Sequence, residues 1–224
     1  MFRVGNDVDS GLFRNLIEHL KRKALPLNRY RANSGTGKSQ CFGIVKQRNH
    51  KYAGSRMNYE RPEIYLEILR IAAAVLPPDF TWTGCQLNQN YQTEEHKDVG
   101  NAGESCILGF GDYTGGELVI EETPVDIRHK LVFFDGSLYR HSTRPWEGDR
   151  YSLVFHRPAR TFRAIPRYSV VEAVEKGKVV YHLREELEGV VRVFRSDRSC
   201  VYTSTGVMPI IRSRRPTLLE AIEE

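Results

Sequence analysis

Two imidazoles and a carboxylate are the most informative groups in this 224-residue sequence: His96 and Asp98 two positions apart in EEHKDVG, and His141 43 residues after Asp98. Two histidine nitrogens and one carboxylate oxygen form the facial set that holds iron(II) and leaves three coordination positions open. In an extended chain, side chains two positions apart share a face, so His96 and Asp98 can point the same way. His141 follows the apolar run LVFFDGSLY and can arrive from a neighbouring strand. Nine residues later, Arg150 and Ser152 open the run RYSLVFH, again two positions apart. A guanidinium fork binds a carboxylate through two parallel hydrogen bonds, and a hydroxyl beside it adds a donor. That pair suits the distal carboxylate of a diacid such as 2-oxoglutarate, whose keto-acid end would chelate the metal. An H-x-D pair alone occurs in many chains. The information lies in the order of the set and in each member falling at the edge of a strand-like run.

The elements that must carry these residues divide into a helical first third and a β-rich remainder. Leu12, Phe13, Leu16, Ile17 and Leu20 fall at helical spacing between Gly11 and Leu25, with Asp9 or Ser10 as N-cap. A polar loop is expected from Asn28 to Gln40, a strand at CFGIVKQ and a loop from Arg56 to Tyr59. A second helix is expected from Pro62 to Leu76, opened by Pro62 and stopped by Pro77-Pro78. TWTGCQLNQNYQ, SCILGF, GELVIEE, KLVFFDG and RYSLVFHR then read as short strands separated by Gly, Asp and Pro. That spacing predicts a β-sandwich or barrel under a helical layer. After Arg160 the pattern predicts a helix across Ser169–Lys176, strands at VVRVFRS and SCVYTS, and a polar tail. With no clean linker, residues 1–160 are expected to form the domain and residues 161–224 an extension packed on it.

Composition excludes several classes. The chain is 40% hydrophobic and 27% charged, a globular balance that argues against disorder. No window approaches the ~20 apolar residues of a membrane span, and MFRVGNDVDSGLFRN has no apolar core for a secretory signal. Cys41, Cys85, Cys106 and Cys200 are far apart, without CxxC spacing. They read as thiols of a reducing, intracellular compartment, cytoplasmic or nuclear. Net charge is +5, unevenly spread: residues 1–80 carry 14 Lys/Arg against 7 Asp/Glu, and residues 81–160 carry 8 against 12. A basic first third beside an acidic middle suggests a polyanion-facing surface near a cation-holding site.

The stretch NQNYQTEEHKDVGN…GDYTGGELVIEE…LVFFDGSLYRH…GDRYSLVFH resembles the iron(II)/2-oxoglutarate dioxygenases, and within them the branch of the TET and J-binding-protein nucleobase oxygenases. The resemblance covers roughly residues 80–157. It implies an α+β fold with a double-stranded β-helix (jelly-roll) core, an N-terminal helical layer and a small C-terminal extension. By the same resemblance, His96, Asp98 and His141 would hold Fe(II), and Arg150 and Ser152 the 2-oxoglutarate. Asn88 and Asn90, expected on one strand face, match a position that helps hold the co-substrate in relatives. The implied chemistry consumes O2 and 2-oxoglutarate, with ascorbate in support, and hydroxylates a methylated pyrimidine, 5-methylcytosine or thymine, in DNA. Such a base must be flipped out of the duplex, and RNHKYAGSR and LKRKALPLNRYR would then contact phosphates. The chain has neither the cysteine-rich domain of animal TET proteins nor the J-base-binding module of the kinetoplastid ones. Hydroxylation of a protein side chain, prolyl-type, or of a small molecule is the alternative enzyme reading, and a catalytically silent jelly-roll binding module is the other.

Other motifs compete. Ala32-Asn33-Ser34-Gly35-Thr36-Gly37-Lys38-Ser39 mimics a phosphate-binding loop, but polar LPLNRYR precedes it and strand-like CFGIVKQ follows, where a phosphate loop needs a buried strand and a helix. It reads instead as a mobile loop near the substrate entrance. Val99–Gly103, directly after the ligand pair, is either a lid or a plain connection. Glu94 and Glu95 are adjacent, so on a strand they face opposite ways and cannot act as an acid/base pair. Arg212, Arg214 and Arg215 form a basic cluster near the end of the chain.

Overall fold

A computed structural model describes residues 2–27, 35–46, 52–159, 167–187, 190–195 and 200–204. The chain opens with β1 (Arg3–Asp7), a 3-10 turn (Ser10–Phe13) and α1 (Arg14–Arg22). Asp9 caps the turn, its carboxylate accepting from the Gly11 N–H at 2.8 Å. β2 (Gly35–Lys46) and β3 (Tyr52–Gly54) follow, then the one-turn α2 (Met57–Glu60) and α3 (Pro62–Val75). Pro62 sits at the first helical position. Arg61 before it is forced out of the helical region (φ −137°, ψ 56°), which breaks α2 from α3. Ile64, Tyr65, Ile68, Ile71 and Ala72 make the buried stripe of α3.

The β-rich remainder runs β4 (Gly84–Thr93), β5 (Ser105–Gly115), β6 (Leu118–Ile120), β7 (Thr123–Val125), β8 (Lys130–Phe134), β9 (His141–Thr143) and β10 (Trp146–His156). Seven strands form one sheet in the order β1-β8-β5-β10-β4-β2-β3, and three form a second, β7-β6-β9. An isolated antiparallel bridge, His96 to His141, adds the residues after β4 to the edge of the second sheet. From β4 to β10 the chain therefore alternates between the sheets, which is the double-stranded β-helix.

Strand periodicity separates two interiors. Phe110, Leu108, Leu153, Phe155, Leu87 and Phe133 face the helices and pack with Phe13, Leu16 and Leu20 of the α1 region. The Phe13 and Phe110 rings stack with centroids 4.7 Å apart. Their sequence neighbours Ile107, Val132, Phe134 and Val154 face into the barrel. On β10 the same alternation sends Arg150, Ser152 and Val154 inward, because Tyr151, Leu153 and Phe155 are taken by the helix-side core.

The last described segment is a four-stranded antiparallel sheet: β11 (Arg167–Glu175), β12 (Lys178–Leu187), β13 (Val190–Phe194) and β14 (Cys200–Ser204). It packs on α2 and α3, sending Leu183 into the helix-side core. β11 replaces the helix expected across Ser169–Lys176. Lys176 and Gly177 both adopt positive φ (52° and 74°), the geometry of a two-residue hairpin turn. Exposure from Val171 to Glu175 alternates with the period of a strand. Two further expectations change: the segment from Arg56 to Tyr59 contains α2 rather than loop, and β2 begins at Gly35, inside the expected polar loop. Gly35 to Ser39 are thus extended backbone paired with β4, not a phosphate loop. Cys41, Cys85 and Cys106 form no disulfide. Among the described residues no helix is long and apolar enough to cross a membrane.

Leu153→Ala, at a fully buried position beneath the helices, is expected to lower unfolding free energy by about 2–5 kcal/mol in a denaturant titration. Val174→Thr, on the exposed face of β11, should change it by less than about 0.5 kcal/mol. Comparable losses at both positions would contradict the division of interior and surface described here.

Candidate metal and diacid site

β4 ends at Thr93, and two residues of bend deliver His96 to the edge of the second sheet. There its N–H donates to the His141 carbonyl at 3.1 Å and its carbonyl accepts from the His141 N–H at 3.0 Å. This backbone exchange stands the two imidazoles side by side, ring centroids 4.3 Å apart. The Asp98 N–H donates to the Gly136 carbonyl at 2.8 Å, which brings the carboxylate beneath both rings. Asp98 Oδ1 lies 3.5 Å from His96 Nε2, and Asp98 Oδ2 lies 3.6 Å from His141 Nε2.

The other ring nitrogens fix the tautomer. His96 Nδ1 is 2.8 Å from the Glu94 carbonyl, and His141 Nδ1 is 3.1 Å from the Tyr139 carbonyl. A carbonyl only accepts, so each Nδ1 carries a proton and Nε2 is the ring atom that faces Asp98. Burial raises the Asp98 pKa, but the two imidazoles outweigh it and hold the carboxyl well below the usual carboxylate range. Three ligand atoms within 4.8 Å of one another, two of them imidazole lone pairs and one a carboxylate oxygen, fit a divalent transition-metal ion.

From this cluster a cavity of about 290 Å³ extends between the sheets, walled by Ile107, Leu118, Phe134 and Val154. Arg150 reaches into it from β10, only 2% exposed. Its Nε donates to the Gly116 carbonyl at 3.1 Å, and its guanidinium lies 5.4 Å from the Trp146 ring centre and 5.6 Å from that of Tyr113. Gly116 belongs to the Gly115-Gly116 turn, with φ 70°, and a Cβ there would come within 2.7 Å of Arg150 Nε. Glycine is therefore required for that carbonyl to meet the guanidinium. Among the described residues, Arg150 Nη2 is buried with no hydrogen-bond partner. Burial lowers the Arg150 pKa, though an arginine remains charged in water-accessible pH ranges.

Ser152 and Asn88 line the same cavity, joined by a 3.0 Å bond from Asn88 Nδ2 to Ser152 Oγ. Asn90 does not line it. Asn90 and Tyr91 together oppose Gly37 of β2, a β-bulge in which Asn90 takes φ 47°. The extra residue inverts the alternation, so Asn90 is exposed and Tyr91 occupies the cavity wall instead. Asn90 still touches the site's frame, its Oδ1 accepting from the Arg150 backbone N–H at 2.7 Å.

Several neighbours carry no sequence signal of their own. The Tyr113 hydroxyl is buried beside Arg150, above Gly109, where a Cβ would approach it to 2.5 Å. Burial raises its pKa to about 12, against the opposing pull of the Arg150 charge. Period-two alternation along β5 places it on the Gly109 face. Gln86 bonds to Ser39 and Ser39 to Asn88, and His156 is among the residues that line the cavity. The connection Val99–Gly103 is fastened at two points: Ala102 N–H donates to the Arg157 carbonyl and Ala159 N–H to the Gly100 carbonyl. Glu94 and Glu95 are exposed, Glu95 pairing with Arg140 at 2.8 Å. The RNHK start of RNHKYAGSR, the NRYR end of the other basic segment, and Arg212, Arg214 and Arg215 lie outside the described residues.

Neither a family model nor a curated protein sequence matches the chain. Solved structures do. NgTET1 in complex with 5mC DNA superposes with a TM-score of 0.52 at 14% identity, over 70% of this chain and 72% of that one. A Pseudomonas putida prolyl-4-hydroxylase gives 0.45 at 17% identity, over 70% and 92%. A 2OG-Fe(II) oxygenase family oxidoreductase from Burkholderia pseudomallei gives 0.44 at 15%, over 69% and 82%. At these identities the shared property is architecture, and the chain has the double-stranded β-helix fold that iron(II)/2-oxoglutarate oxygenases use.

Proposed function

We propose that the protein is an iron(II)- and 2-oxoglutarate-dependent dioxygenase, with His96, Asp98 and His141 as metal ligands and Arg150 and Ser152 holding the distal carboxylate of 2-oxoglutarate. The observation that carries this reading is the pairing of two features in one cavity: three potential ligand atoms within 4.8 Å of one another, and a buried guanidinium nitrogen that has no acceptor among the described residues. A dianionic keto acid bound to a divalent ion meets both. With O2, iron(II) bound there supplies the oxidising power to hydroxylate a C–H bond while 2-oxoglutarate is decarboxylated to succinate. The chain's own work is placement. Arg150 offers Nη2 and Ser152 a hydroxyl to the far carboxylate, while Ile107, Leu118 and Val154 exclude water around the carbon chain.

For the substrate, we propose a methylated pyrimidine in DNA, 5-methylcytosine or thymine. Support comes from the fold shared with a structure solved on 5mC DNA and from the basic first third of the sequence. The base must leave the duplex to reach a metal set between two sheets, at a cost of a few kcal/mol.

Succinate formation should require added iron(II) and vanish in His96→Ala and Asp98→Ala. A lack of turnover with any substrate pool would favour a silent binding module. Mass spectrometry of nucleosides from treated methylated DNA should show the base methyl gaining one oxygen. Unaltered bases beside a peptide gaining one oxygen would replace the nucleobase by a protein side chain. Arg150→Ala should raise the 2-oxoglutarate KM by about 100-fold while changing the iron requirement little, since it removes a charged fork and no metal ligand. Equal weakening of both would contradict the assignment of Arg150.

A further inference from the structure

Ser39, Asn88 and Ser152 stand directly opposite one another on three adjacent strands, β2, β4 and β10. Gln86 lies two residues before Asn88, on the same face of β4. All four are buried, Ser39 completely. Gln86 Nε2 donates to Ser39 Oγ at 2.7 Å, Ser39 Oγ to Asn88 Oδ1 at 2.6 Å, and Asn88 Nδ2 to Ser152 Oγ at 3.0 Å.

With the two amides oriented as they stand in the structure, the chain runs in one direction. Glutamine Nε2 can only donate, so Ser39 accepts from it and has a single proton left, which goes to the Asn88 carbonyl. Asn88, with its oxygen engaged, turns its amide to Ser152. Ser152 thus accepts, and its own proton is left over. Among the described residues no group accepts that proton, and Ser152 Oγ borders the cavity beside the unpaired Arg150 Nη2. Bonds in such a chain polarise one another, so the terminal hydroxyl is a better donor than an isolated serine.

We infer that Gln86 and Ser39 are positioning residues that act through Asn88 to lock Ser152 as a hydrogen-bond donor, making the cavity selective for a keto acid with a distal carboxylate. This rests on the diacid reading given above and adds its source of selectivity. Without Ser39, the Asn88 amide can rotate and Ser152 can turn its proton into the strand. Arg150 would still supply charge, but the carboxylate would lose one charge-assisted donor.

The test compares two keto acids of equal chain length, 2-oxoglutarate and 2-oxopentanoate, which lacks the distal carboxylate. Dissociation constants are measured anaerobically on the Mn(II)-loaded protein. Ser39→Ala should weaken 2-oxoglutarate about five- to tenfold and leave 2-oxopentanoate unchanged. In a Ser152→Ala background the same substitution should have no further effect. If Ser39→Ala does not fold, the isosteric pair Ser39→Thr and Ser39→Val makes the same comparison, with threonine expected to retain the selectivity and valine to lose it. Equal weakening of both keto acids, or additivity with Ser152→Ala, would assign Ser39 a packing role and overturn the relay. A wild-type protein that binds 2-oxopentanoate as tightly as 2-oxoglutarate would overturn the diacid reading itself, and the relay with it.

Discussion

A guanidinium buried to 2% exposure, with one nitrogen unbonded among the described residues, is the feature around which the barrel is arranged. Taking such a charge out of water costs several kcal/mol, and the Gly116 carbonyl and the faces of Trp146 and Tyr113 recover only part of it. The remainder is a standing preference for an anion at one end of the cavity. Hydrophobic walls sharpen that preference, because low polarity strengthens any ion pair formed between them. The opposite end, with its three convergent ligand atoms, has the complementary preference for a cation. A molecule anionic at both ends, and able to chelate at one of them, satisfies the cavity along its whole length.

Strand alternation allows both ends to be built from ordinary β-structure. β10 has to serve the helix-side core and the cavity at once, and it does so by parity: Tyr151, Leu153 and Phe155 one way, Arg150, Ser152 and Val154 the other. The helix-side residues immobilise the strand, so the cavity residues are held by packing that they take no part in. At the metal end, rigidity comes from backbone pairing. The reciprocal bonds between His96 and His141 and the Asp98 to Gly136 bond fix all three residues through main-chain groups, leaving the side chains free to face the proposed metal ion.

Much of this was legible in the sequence, and for one reason: histidines, an aspartate and an arginine at strand edges carry chemistry that their spacing alone exposes. His96, Asp98, His141, Arg150 and Ser152 needed only the period of a strand to be placed together. Tyr113, Ser39 and Gln86 were illegible, because a tyrosine, a serine and a glutamine in β-rich sequence have common structural uses and only tertiary pairing gives them another. Ser39 was further hidden by glycines at 35 and 37, which suggest a loop. In fact the close approach of β4 demands them, since a Cβ on Gly37 would lie 2.0 Å from the Asn90 carbonyl oxygen. The misread of Ser169–Lys176 has a similar origin. Its valines and alanine fit either period until the Lys176-Gly177 turn is recognised as the closing loop of a hairpin.

The bulge at Asn90 shows why parity arguments fail where they matter most. Asn88 and Asn90 are two apart and by simple alternation should do the same job. With Asn90 as the extra residue opposite Gly37, Asn88 stays inside and bonds Ser152 while Asn90 emerges outside and bonds the Arg150 backbone N–H. One strand thereby holds both members of the Arg-x-Ser pair, one through its side chain and the other through its main chain. A regular strand would have sent both asparagines into the cavity, narrowing it and leaving the start of β10 unsupported. Asparagine tolerates the left-handed backbone better than most residues, so the residue type that the outside role requires is also one that can make the bulge.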